Sequence, residues 1–152
     1  MTDYSELNSS LKSLIGGVPH TLANLANAAA LLYQELDGLN WAGFYLTEGD
    51  LLVLGPFQGK TACIEIPFGS GVCGTSAVRN ETLVVPNVHD FPGHIACDSA
   101  SKSEIVIPVF CNGRLFGVLD LDSPHQGRFT EADKAGLEEY VRIIQLELEA
   151  HS

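Results

Sequence analysis

The sequence is short of basic side chains and of long apolar runs. It has 8 lysines and arginines against 19 acidic residues, which gives a formal net charge of −11. A field of that sign repels phosphate backbones and anionic lipid surfaces, so it argues against nucleic-acid and membrane roles. No stretch approaches the ~20 apolar residues of a membrane span, and the first residues do not resemble a secretory signal. We therefore expect a cytoplasmic protein.

Local metal-binding and hydrolase motifs are also missing. The four cysteines are 10, 24 and 14 residues apart, and no CxxC or HxxxH pair occurs; they are Cys63, Cys73, Cys97 and Cys111. These spacings do not match a zinc knuckle, so we expect no bound metal. No nucleophile elbow of the hydrolase type is present either. In a reducing compartment lasting disulfides are not expected, whereas transient catalytic ones remain compatible with the sequence.

The composition is that of one globular unit, since 45% of the 152 residues are hydrophobic and 18% are charged. We predict a single domain over residues 1–152. A stripe at three- and four-residue spacing predicts a long core helix that ends near Gly38: Leu22, Leu25, Ala29, Leu32, Tyr33 and Leu36. A shorter helix from Tyr4 to Leu14 should precede it. A last helix should begin after Thr130, an N-cap residue followed by acidic side chains.

Between these helices lie six short β-rich runs separated by turn residues: WAGFYL, LLVLG, ACIEIPF, TLVVP, EIVIPVF and LFGVLDLD. Asn112-Gly113 between the last two predicts an antiparallel hairpin. The pattern favours an α+β fold, with a central antiparallel sheet of about six strands and the N- and C-terminal helices packed on one face.

The long segment from Asn87 to Ser103 has weak periodicity and predicts a packed functional loop. It carries Cys97, and a thiol in such a loop can have the solvent access that a reactive thiolate needs. His94, three residues earlier, is near enough in sequence to stabilise that thiolate as a cation. The alternative is that Cys97 is a small buried hydrophobe that anchors the loop. Core roles are favoured for Cys63, on a strand, and for Cys73, at a glycine-rich turn, and Cys111 at the hairpin mouth looks structural.

A group of carboxylates is the second candidate feature. Asp120 and Asp122 are two apart on one strand and share a face, and Glu104 begins the paired strand. In a regular hairpin Glu104 would point to the opposite face. Because Pro108 cannot donate to a β-ladder, we predict a bulge near it that brings Glu104 to the aspartates. The alternative is three solvated acids at the end of a sheet.

Two aromatic residues complete the candidate set. Trp41 and Tyr45 are four apart on a strand, so they face the same way, with Gly43 leaving a gap between them. Such a pair is typical either of a pocket wall or of an ordinary core.

The motifs that carry these residues resemble the free methionine-(R)-sulfoxide reductases, a family of GAF-domain proteins. The resemblance runs from about Leu36 to Val141 and is densest in WAGFY, GPFQGKTACIEIPFGSGVCGTSA, TLVVPNVHDFPGHIACDSASKSEIVIPV and FGVLDLDSP. It implies that the fold is GAF-like. It also implies that Cys97 in GHIACD is the catalytic cysteine, Cys63 in GKTACI the resolving cysteine and Cys73 in GVCGT an auxiliary one.

The resemblance further implies a substrate site, formed by Trp41, Tyr45, Glu104, Asp120 and Asp122. The activity it implies is reduction of free methionine-(R)-sulfoxide by thiol chemistry. Cys97 becomes a sulfenic acid, a disulfide forms with Cys63 or Cys73, and thioredoxin reduces it, without an organic cofactor or a metal. The competing interpretation is a ligand-sensing GAF module without catalysis. The sequence is compatible both with a monomer and with a homodimer.

Overall fold

The computed structural model describes residues 2–94 and 100–152. Helices and strands alternate irregularly along the chain, with a short 3-10 helix at Val88–Asp90. The helices are α1 (Tyr4–Ile15), α2 (Thr21–Glu35), α3 (Gly71–Arg79) and α4 (Glu131–Ala150). The strands are β1 (Trp41–Glu48), β2 (Leu51–Gly59), β3 (Glu65–Pro67), β4 (Leu83–Val85), β5 (Ser103–Cys111) and β6 (Arg114–Ser123). Among the described residues, no helix is both long and apolar enough to cross a membrane.

The strands form one six-stranded sheet in the order β3-β2-β1-β6-β5-β4. All neighbouring pairs are antiparallel. The β5–β6 hairpin closes through Asn112 and Gly113, whose φ angles of 52° and 78° are those of a type I′ turn. The predicted hairpin and the predicted six-stranded antiparallel sheet are confirmed.

The two faces of the sheet bury two different clusters. Side chains alternate along each strand, so Ala42 and Phe44 of β1 point to one face and Trp41 and Tyr45 point to the other. The first face packs against α2 and α4, and α1 packs on both of these helices, around a mainly apolar core. The N- and C-terminal helices thus lie on one face, as predicted. The second face is covered by α3, and it holds the candidate site.

The predicted start of the last helix agrees with its capping. Thr130 accepts a hydrogen bond from the backbone N–H of Asp133, whose carboxylate accepts one from the backbone N–H of Thr130. This capping box fixes the start of α4 where the sequence placed it. The prediction for α2 is wrong at two residues, since Leu22 is 70% exposed and Tyr33 is 39% exposed. Both flank a narrower buried stripe that is centred on Leu25 and Leu32.

Helix α3 was not predicted, because its segment GSGVCGTSAV has three glycines and reads as a turn. Glycine is needed there for a packing reason. A Cβ on Gly74 would lie 2.6 Å from the carbonyl oxygen of Pro67, so the helix can rest on the end of β3 only without a side chain at this position. Asn80, in the left-handed conformation at φ 55°, ends the helix. Cys73 therefore lies on a helix and not in a turn.

Candidate active site

The three candidate carboxylates converge on the α3 face of the sheet. In the β5–β6 ladder Glu104 is paired with Asp122, and Asp120 lies two residues along the same strand. The register shifts between Val109 and Phe110, one residue beyond Pro108, and this irregularity turns Glu104 to the aspartate face. The predicted bulge near Pro108 is confirmed, and the alternative of solvated acids is wrong for Glu104 and Asp120, which are 7% and 5% exposed.

Burial changes the acid–base behaviour of these carboxyl groups. Burial above all, and then the nearby charge of Asp120, raises the pKa of Glu104 well above its ordinary value. Burial and then the charge of Asp122 raise the pKa of Asp120 in the same way. Like charges held this close oppose one another's ionisation, so Glu104 and Asp120 keep their protons to higher pH than an exposed carboxyl group does. A carboxyl group of this kind can donate a proton or receive a cation.

Cys73 lies directly against this carboxyl cluster. Its Sγ is 3.9 Å from Oε2 of Glu104, and the side chain lies on the buried side of α3. Burial and the neighbouring acids Asp120 and Glu104 raise the pKa of the Cys73 thiol well above its usual range. The side chain is therefore a protonated thiol at neutral pH, which is a poor nucleophile.

Trp41 and Tyr45 of β1 form an aromatic wall beside the carboxyl groups of β5 and β6. The rings of Trp41 and Tyr45 stack with centroids 5.9 Å apart, and the ring of Phe57 on β2 also stacks with Trp41, at 5.2 Å. A Cβ on Gly43 would lie 2.3 Å from the Cβ of Phe57, so the gap at Gly43 is occupied by Phe57. The sequence reasoning missed Phe57, although the β1–β2 pairing of Gly43 with Phe57 would have indicated it.

The aromatic wall is tied to the segment that carries Cys63. The Tyr45 hydroxyl donates to the carbonyl oxygen of Cys63 at 2.8 Å, and Trp41 Nε1 donates to the carbonyl oxygen of Lys60 at 3.1 Å. Cys63 itself is half-buried and lies just before β3, so its predicted place on a strand is wrong. The strand is shorter than the apolar run suggested, because it pairs only with the first three residues of β2.

These groups surround one cavity between the sheet and α3. The described residues that line it are Trp41, Tyr45, Thr61, Ala62, Ile66, Ser70, Gly71, Val72, Cys73, His94, Ser101, Glu104, Asp120 and Asp122. At the start of α3 the sequence reasoning named only Cys73 and missed Ser70, Gly71 and Val72, because it had not predicted the helix.

The predicted catalytic residue Cys97 lies outside the described residues. The loop on its N-terminal side reaches the cavity through His94, and Ser101 lines the cavity on its C-terminal side. Burial and the neighbouring His89 lower the pKa of His94, which disfavours the cationic form that the sequence suggested. The part of the loop that the structure describes therefore borders the same cavity as the carboxylates.

The raised carboxyl pKa values predict how stability depends on pH. Asp120→Asn should raise Tm at pH 8 by several degrees, at about 2–4 °C per kcal/mol for a chain of this size. An acid whose pKa is higher in the folded state than its unfolded value of about 3.9 loses stability as pH rises through the folded pKa, and asparagine cannot ionise. The difference should close toward about pH 4. Thermal unfolding followed by circular dichroism from pH 4 to 8 measures it.

The exposed Asp37 supplies the matched control, since Asp37→Asn removes the same charge without a buried carboxyl group. A Tm difference for Asp120→Asn that is absent at pH 8, or that grows toward acid pH, would contradict the raised pKa of Asp120.

The fold and the cavity define a class of protein. A family model described as the GAF domain matches residues 18–148. A protein of Escherichia coli (strain K12) named free methionine-R-sulfoxide reductase is 54% identical over 142 residues, which cover 93% of this chain and 86% of that protein. The chain belongs to the free methionine-R-sulfoxide reductase family of GAF-domain proteins.

Solved structures agree with this assignment. The fRMsr of Staphylococcus aureus in complex with substrate has a TM-score of 0.94 at 50% identity, and the match covers 97% of each chain. The free methionine-R-sulfoxide reductase of Neisseria meningitidis in complex with its substrate has a TM-score of 0.94 at 45% identity. That match covers 97% of this chain and 89% of the other. The predicted GAF fold and family are confirmed.

Proposed function

We propose that this protein is an enzyme that reduces free methionine-(R)-sulfoxide to methionine. The observation that carries the proposal is the joining, in one cavity, of two buried acids, a third half-buried acid and the stacked Trp41 and Tyr45. Apolar ring faces suit the thioether end of the substrate, and carboxylates suit its ammonium group. Relatives named for this activity support the same conclusion.

The carboxyl groups explain why the free amino acid is the proposed substrate. Free methionine sulfoxide has an α-ammonium group, and a peptide-bound residue has an amide in its place. A site built for a charged hydrogen-bond donor rejects an analogue that lacks it, because its own buried groups are then left unpaired. Glu104, Asp120 and Asp122 are the residues that we assign to this recognition.

The proposed chemistry uses the thiolate of Cys97 as the nucleophile. It attacks the sulfoxide sulfur, the S–O oxygen moves to Cys97 as a sulfenic acid, and methionine leaves. The step needs one proton, and a carboxyl group with a raised pKa is a suitable donor. Glu104 or Asp120 takes this role. The substrate sulfur gains two electrons, and the Cys97 sulfur loses two.

The enzyme must then be returned to its reduced state. We assign this step to Cys63, whose thiol condenses with the sulfenic acid and releases water, so that a disulfide forms. Cys73 is the second choice, because burial and then its acidic neighbours raise the pKa of its thiol and so favour the protonated form. An external dithiol protein, thioredoxin, then reduces the disulfide by two electrons. The pathway needs no metal and no bound organic cofactor.

A coupled assay tests the proposed activity. The reduced protein is supplied with thioredoxin, its reductase and NADPH, and is given free methionine-R-sulfoxide, the free S epimer or a peptide that contains the R-sulfoxide. We expect NADPH consumption and methionine formation with the free R form only. A parallel arm with dithiothreitol separates the activity from the identity of the reductant. An absence of turnover with all three sulfoxides in both arms would leave the ligand-sensing module as the better interpretation.

A further inference from the structure

We propose that Cys73, Glu104 and Asp120 also bind a thiophilic divalent cation of the Zn²⁺ class. Each of the three side chains offers one ligand atom, and these atoms lie within 4.8 Å of one another. The residues come from α3, β5 and β6, so they meet only in the folded chain. The spacing of cysteines along the sequence reveals only zinc motifs whose ligands are close in sequence. It cannot reveal a site whose ligands come from three separate elements.

The distances suit a tetrahedral ion. In zinc sites the metal lies about 2.3 Å from a thiolate sulfur and about 2.0–2.2 Å from a carboxylate oxygen, which separates the two ligand atoms by about 3.5 Å. The Cys73 Sγ is 3.9 Å from Oε2 of Glu104. A small inward movement of these two side chains would bring their ligand atoms to that separation, and the ligand oxygen of Asp120 lies within 4.8 Å of both.

A second observation, independent of the clustering, also points to a ligand. Asp120 is only 5% exposed, and its buried Oδ1 has no hydrogen-bond partner among the described residues. Leaving a buried carboxylate oxygen without a partner is energetically costly. A cation held between Asp120, Glu104 and Cys73 would satisfy that oxygen and neutralise the crowded carboxylates.

The donor set selects the kind of cation. One thiolate with two carboxylates suits zinc and related transition metals, whereas Mg²⁺ and Ca²⁺ take oxygen ligands only. Binding must displace the thiol proton of Cys73 and any proton held by the acids, so it releases protons. Among the residues that the structure describes, the other titratable side chains that line the cavity are Asp122, Tyr45 and His94.

Metal binding should affect activity, because the metal and the proposed substrate would use the same carboxyl groups. A cation on Glu104 and Asp120 occupies the groups that the substrate ammonium would use, so metal and substrate should exclude each other. This consequence rests on the proposed function, whereas the binding of the metal does not. The site would therefore act as a point of inhibition by free zinc.

Titration of the reduced, chelator-treated protein with Co²⁺ and with Zn²⁺ tests the site. Co²⁺ reports the thiolate directly, through a sulfur-to-metal charge-transfer band in the near ultraviolet. We expect one ion per chain and a band that Cys73→Ser abolishes. Asp120→Asn should weaken Zn²⁺ binding by more than about tenfold, a loss that even outer-shell changes produce at metal sites. The matched control Cys111→Ser changes a free thiol outside the cluster and should leave both readouts intact.

Three results would overturn the proposal: no stoichiometric binding, a band that survives in Cys73→Ser, or a band that is lost in Cys97→Ser while Cys73 is intact. Mg²⁺ at the same concentration should leave Tm unchanged, whereas Zn²⁺ should raise it in wild type and not in Asp120→Asn. The assays of metal binding and of sulfoxide reduction are separate. Zinc binding without sulfoxide turnover would refute only the proposed function, and turnover without zinc binding would refute only this inference.

Discussion

Glu104→Gln is expected to lower kcat/KM for free methionine-R-sulfoxide by between roughly 30-fold and several thousandfold, because losing one member of a buried charge pair costs about 2–5 kcal/mol. Glutamine keeps the size of the side chain and removes both its charge and its acidic proton. If Glu104 pairs with the ammonium group, KM should rise most; if it donates the proton to the sulfoxide oxygen, kcat should fall most. Steady-state methionine formation with dithiothreitol as reductant measures both.

Glu65→Gln is the control for this substitution, since Glu65 is an exposed acid on β3 and the chemical change is the same. It should keep wild-type kinetics. Thermal unfolding must show that Glu104→Gln is folded, and the raised pKa of Glu104 predicts that it is at least as stable as wild type at neutral pH. A Glu104→Gln enzyme with kcat/KM within about threefold of wild type would contradict a role of Glu104 in substrate binding or proton donation. A 2 kcal/mol loss would correspond to roughly 30-fold.

Cys97→Ser should abolish turnover, with a fall in kcat of at least about 10⁴-fold, on the scale seen when a catalytic nucleophile is removed. A serine hydroxyl is far less nucleophilic than a thiolate and cannot form the sulfenic acid. Binding should survive, because the assigned recognition groups are unchanged. Free R-sulfoxide should therefore still raise the Tm of the variant. Methionine formation and ligand-dependent unfolding measure the two properties separately.

Cys111→Ser is the matched thiol replacement and should retain full activity, since nothing assigns Cys111 a role. Cys63→Ser should release one methionine per chain and then stall with thioredoxin, because the sulfenic acid would form without its resolving partner. Continued turnover in Cys97→Ser would place the nucleophile elsewhere. Cys73 would be a poor replacement, given its buried and protonated thiol.

Local chemistry explains which parts of the fold the sequence predicts. The Asn112-Gly113 turn and the Thr130 cap depend on residues that are adjacent along the chain, and both lie where expected. The prediction that Glu104 shares a face with the aspartates depended on one residue, Pro108, whose missing N–H predicts a break in the β-ladder. From that single irregularity the convergence of the three carboxylates could be predicted.

Tertiary contacts explain what the sequence did not predict. Seven of the nine residues of helix α3 have weak helix propensity, and the helix forms where Gly74 allows close approach to Pro67. Because α3 was missed, so was the contact between Cys73 and Glu104. Phe57 was missed for a similar reason, since its stacking on Trp41 depends on the β1–β2 register.

The burial of the carboxylates also has a cost for stability. Glu104 and Asp120 are held in an environment that disfavours their charged forms, and one Asp120 oxygen has no partner among the described residues. Functional sites often retain such unfavourable groups because a ligand satisfies them. The expected gain in stability of Asp120→Asn and the expected loss of activity in Glu104→Gln thus share one physical origin.

The most direct test of the account compares free methionine-R-sulfoxide with its N-acetyl derivative, with dithiothreitol as reductant. Acetylation removes the ammonium charge and leaves the sulfoxide unchanged. The account predicts that kcat/KM falls by roughly 10²-fold or more, because Glu104, Asp120 and Asp122 then lose their cationic partner. Equal kcat/KM for the two compounds would contradict the central claim that these three acids select the free amino acid.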